Sequence, residues 1–64
     1  MCESTAYLES DGEAELILKD VVTVRPEGQG WSLVSLFGER RKVEGKLKLI
    51  DLTGHRLLFS KPEG

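Results

Sequence analysis

Apolar and polar residues alternate with a period of two along most of this chain, and the three-to-four residue spacing of an amphipathic helix is missing. The pattern predicts an all-β fold. Ala6 and Leu8 alternate with Thr5, Tyr7 and Glu9, and Ala14, Leu16 and Leu18 repeat the alternation after the turn-forming run Ser10-Asp11-Gly12. These segments predict a hairpin. Asp20 then interrupts, Val22 and Val24 form a further strand, and Pro26-Glu27-Gly28-Gln29-Gly30 provides a loop. Trp31 to Phe37 is the most apolar stretch. Trp31, Leu33, Ser35 and Phe37 share one of its faces and Ser32, Val34 and Leu36 the other.

Bulk on both faces of that strand has a consequence in so short a chain: one face meets the chain's own core and the other a second copy. The pattern therefore points to a homodimer. Beyond Gly38, Glu39-Arg40-Arg41-Lys42-Val43 reads as a polar edge strand ended by Gly45, followed by Leu47, Leu49, Ile50 and Leu52 on another. Thr53-Gly54-His55 turns the chain into a last strand, Arg56 to Phe59. Six to seven short antiparallel strands, with turns at intervals of roughly 8–12 residues, favour a small barrel or sandwich over a βαβ arrangement. Residues 1–64 read as one domain.

Sixty-four residues lie near the size at which folding buries only about 60% of the unfolded chain's surface, so a second copy adds stability where it is scarce. The first residues, Met1 to Thr5, lack the basic and apolar regions of a secretory signal, and the apolar runs are too short to span a bilayer. A lone cysteine excludes an intrachain disulfide and suits a reducing compartment. The expected location is the cytoplasm. A net charge of −2 gives no general attraction to phosphate, so nucleic-acid binding would need a local patch.

That cysteine, Cys2, directly follows Met1. Removal of Met1 leaves a thiol and a free α-amine on one residue, spaced to close a five-membered chelate ring around a soft or borderline metal ion. Nitrogen and sulfur donors in a square plane suit Ni(II), although copper and zinc compete by affinity. A single chain offers at most the thiolate, the amine and the amide nitrogen of Glu3, so a second Cys2 from a partner chain would complete a four-donor set. The dimer then becomes part of the site. A cysteine entering a strand is more often a small packed hydrophobe, and His55, which follows Gly54 in a turn, reads as a turn residue rather than a ligand.

The Met1-Cys2-Glu3 start leading into a strand, the run Asp20 to Gly28 and the Leu36-Phe37-Gly38-Glu39 step resemble the CooT family. The resemblance spans nearly the whole chain, and the Met-Cys start is its most specific element. It implies a small SH3-like barrel that dimerises, binds nickel through the cysteine after the initiator methionine, and assists maturation of the nickel-containing carbon monoxide dehydrogenase. Only Cys2 carries over as a functional residue.

Two alternatives compete. Arg40, Arg41 and Lys42 form the main basic concentration and could contact RNA phosphates, but alternation puts only two of them on one face, and edge strands carry such charges to resist aggregation. A structural module that only mediates protein contacts is the other. An enzyme is not expected, since the chain contains no nucleophile elbow, phosphate loop or metal-hydrolase spacing.

Overall fold

The computed structural model describes residues 3–62. Six strands make up its regular structure: β1 (Ser4–Ser10), β2 (Glu13–Glu27), β3 (Gly30–Ser35), β4 (Arg40–Glu44), β5 (Lys46–Asp51) and β6 (Arg56–Ser60). They form one sheet in the order β4-β3-β2-β1-β6-β5. Asp11 and Gly12, both at positive φ, make the two-residue turn whose twist matches the strands it joins.

Three expectations change. Asp20 does not end a strand: it takes a left-handed φ of 56° inside the 15-residue β2 and bends it. Asp tolerates that conformation better than most non-glycine residues, so β2 pairs with β1 along its first half and with β3 along its second. The pairing is not wholly antiparallel either, because β1 and β6 run parallel. Leu36 and Phe37 lie in a turn beyond β3. The Ser35 hydroxyl oxygen accepts the amides of Phe37 and Glu39, each at 3.1 Å, and draws the chain out of the strand.

Ala6, Leu18, Val21, Leu33, Val43, Leu57 and Phe59 form the core. Phe59 and Leu33 are fully buried, and the Trp31 ring tilts onto Phe59 with centroids 6.2 Å apart, a favoured aromatic geometry. The two edge strands are joined through Gly45 alone, so the sheet must roll until its edges converge at that corner. No ladder joins β4 to β5 among the described residues. At Gly30 and Gly45 a Cβ would lie 2.2 Å from the Val43 carbonyl oxygen and 2.0 Å from that of Ser60, so both close approaches require glycine.

Candidate functional site

Cys2 lies outside the described residues, which begin at Glu3 just ahead of β1. Ser4 pairs with Val21, Ala6 is fully buried, and the Thr5 amide donates to the His55 carbonyl at 2.9 Å. Strand β1 is therefore clamped between the bend of β2 and the turn before β6. Val21 in turn pairs with Ser35, and the Leu36 amide donates to the Asp20 carbonyl at 2.7 Å. One end of the molecule thus gathers the start of β1, the Asp20 bend, the turn after β3 and the turn from Leu52 to His55.

That end is apolar. Phe37 is 75% exposed and Leu52 80%, with Val22 and Leu36 also exposed. Leu36, Phe37 and Leu52 sit in turns beyond the strand ends, where the sheet leaves them exposed. Glu3, the residue after Cys2, enters the same end with one carboxylate oxygen buried and without a hydrogen-bond partner among the described residues. His55 is exposed at a positive φ of 53°, and its described role is the backbone carbonyl that holds Thr5.

The turn that carries His55 is braced by Asp51. Its carboxylate accepts the amides of Gly54 at 2.9 Å and Thr53 at 3.1 Å and binds the Arg56 guanidinium at 2.7 Å. The Gly54 amide, and then Arg56, hold the Asp51 carboxyl below its ordinary value, and the same pairing raises Arg56. The described residues contain no cluster of three or more histidine, cysteine, aspartate or glutamate side chains able to hold a metal ion.

The basic run is split by the strand. Arg40 and Lys42 point outward, in register with Val34 and Ser32, whereas Arg41 pairs with the buried Leu33 position on the other side and turns its guanidinium to the Arg40 carbonyl. The structure adds Arg25, which the sequence reading did not single out: it faces outward from β2 beside Ser32. Strand register, invisible before pairing is known, brings it there. No described helix is long and apolar enough to cross a membrane.

Residues 1–59 match the family described as CO dehydrogenase accessory protein CooT. This chain belongs to the CooT family. The crystal structure assigned as CooT from Carboxydothermus hydrogenoformans superposes with a TM-score of 0.90 at 31% identity, covering 97% of this chain and all of the other. An uncharacterized protein of Methanocaldococcus jannaschii is 30% identical over 59 residues, 92% of this chain and 96% of its own length. As a CooT-family member the chain is an accessory protein of CO dehydrogenase and not itself an enzyme.

Proposed function

We propose that this CooT-family chain is a nickel-binding accessory protein that carries Ni(II) on Cys2 of a homodimer and gives it up during maturation of the nickel-containing carbon monoxide dehydrogenase. The observation that carries this reading is the anchoring of Thr5 to His55. It sets the chain entering β1 at the end where Val22, Leu36, Phe37 and Leu52 are exposed. Two copies packed through that end by a two-fold axis would cover these side chains and bring both N-termini together. Two thiolates could then face one ion.

The donor set fits the cargo. Loss of Met1 leaves amine and thiol on Cys2, and the adjoining buried oxygen of Glu3 is a further donor at the same end. Thiolate and nitrogen donors favour Ni(II) in a square plane. Both groups must lose protons to bind, so affinity rises with pH. A site held by the first residues of a chain, rather than by a closed cage, can release what it collects.

The rolled sheet, with its edges converging at Gly45, is read as the SH3-like barrel of the family, working in the cytoplasm. Titration of the tagless protein with Ni(II) tests the proposal. Thiolate-to-metal absorption should saturate near one ion per two chains and vanish in Cys2→Ser, while His55→Ala retains it. Equal nickel binding by Cys2→Ser would end this reading.

A further inference from the structure

Far from Cys2 in sequence, the outward face of β2, β3 and β4 is organised in rows. Thr23, Val34 and Arg40 are in register across the three strands, as are Arg25, Ser32 and Lys42 in the next row and Glu27, Gly30 and Glu44 in the one beyond. Arg25, Arg40 and Lys42 are exposed, and none forms an ion pair with a described residue. Lys48 and Arg56, on the other half of the sheet, are satisfied by Glu9 and Asp51. A groove of about 270 Å³, lined by Thr23, Arg25, Glu27, Ser32, Val34 and Arg40, runs over this face.

From this arrangement we infer that the Arg25–Arg40–Lys42 face is a docking surface for a short carboxylate-rich segment of a partner protein. Arg25 and Arg40, from two strands, line the groove together with Ser32 and Thr23, and Lys42 stands beside it in register with Ser32. Guanidinium groups pair with carboxylates through two parallel N–H donors, and the hydroxyls add further donors between them. Edge protection accounts for charges on β4 but not for Arg25, which sits on a strand inside the sheet.

The same face argues against RNA. Sequence-tolerant binding of single strands needs exposed aromatic platforms, and this face has none: Trp31 packs on Phe59, Phe37 lies in the turn after β3, and Tyr7 lines a cleft with Leu49 and Leu58 on the opposite half of the sheet. The Glu27–Glu44 row also closes the cationic band at one end. A continuous polyanion running along the strands would be repelled there, whereas a compact group of carboxylates fits within the two rows above it.

The surface uses neither Cys2 nor a metal ion, so either proposal can fail alone. The full chain is titrated by NMR with a short oligoglutamate peptide and, in parallel, with an oligouridylate of equal charge. The peptide should shift Arg25, Ser32, Arg40 and Lys42, bind more weakly as salt is raised, and lose about tenfold in affinity in the Arg25→Gln/Arg40→Gln variant. Both replaced side chains are exposed, and amide shifts of the core residues that match the parent's report an intact fold in that variant. Shifts confined to other residues, undiminished binding by the variant, or tighter binding of the oligouridylate would each overturn the inference.

Discussion

The Thr5 amide and the His55 carbonyl meet at 2.9 Å, and through this bond the first strand is fixed to a turn 50 positions later in the chain. The turn owes its shape to Asp51, which accepts two of its amides and pairs with Arg56. Asp51→Ala should therefore speed hydrogen exchange at Thr53 and Gly54, and also at Thr5 across the strand. Unchanged protection of Thr5 would show that the turn does not hold β1.

Acid should weaken the same brace. Asp51 titrates lower in the folded chain than in the unfolded one, chiefly through the Gly54 amide and Arg56. Its contribution is present above the unfolded value of about 4 and is lost as pH falls through the depressed folded value. Urea midpoints should fall across that acidic window, and Asp51→Asn should flatten part of the fall. An identical profile for the variant contradicts the assignment.

Phe37 and Leu52 are predicted to hold two copies together. Phe37→Ser and Leu52→Ser remove side chains that the sheet leaves 75% and 80% exposed, so the fold should persist while sedimentation shows a shift from dimer to monomer. Nickel stoichiometry should change with it. A dimer that survives both substitutions places the interface elsewhere.

Gly30 and Gly45 mark where the sheet rolls. An added methyl would press on the carbonyl oxygens of Val43 and Ser60, and Gly45 also has a φ of 127° that side chains disfavour. Either alanine variant should cost about 2 kcal/mol, lowering the melting temperature by roughly 10 °C in a domain of this size. Gly12, whose added Cβ meets nothing within 4 Å, is the control for crowding.

The alternation of Ala6, Leu8, Leu16 and Leu18 and the Asp11-Gly12 turn carry enough information to specify the first hairpin and the all-β class. Asp20 misled because a polar residue among valines looks like a break, and only pairing on both sides shows that β2 continues through it. Phe37 misled for the opposite reason: period-two alternation extends over it, while the Ser35 hydroxyl captures its amide and ends the strand. Cys2 stands out in the sequence by its place after Met1. The setting of the start of β1 was not legible, since the parallel β1–β6 pairing that brings His55 to Thr5 is a contact between distant parts of the chain.

Two copies of Cys2 are proposed to share one nickel ion. X-ray absorption at the nickel edge, on tagless protein whose mature N-terminus is confirmed by mass spectrometry, counts the sulfur ligands directly. Two sulfur ligands per nickel, lost in Cys2→Ser, are predicted. A first shell of nitrogen and oxygen alone, or a spectrum that Cys2→Ser leaves unchanged, would contradict it.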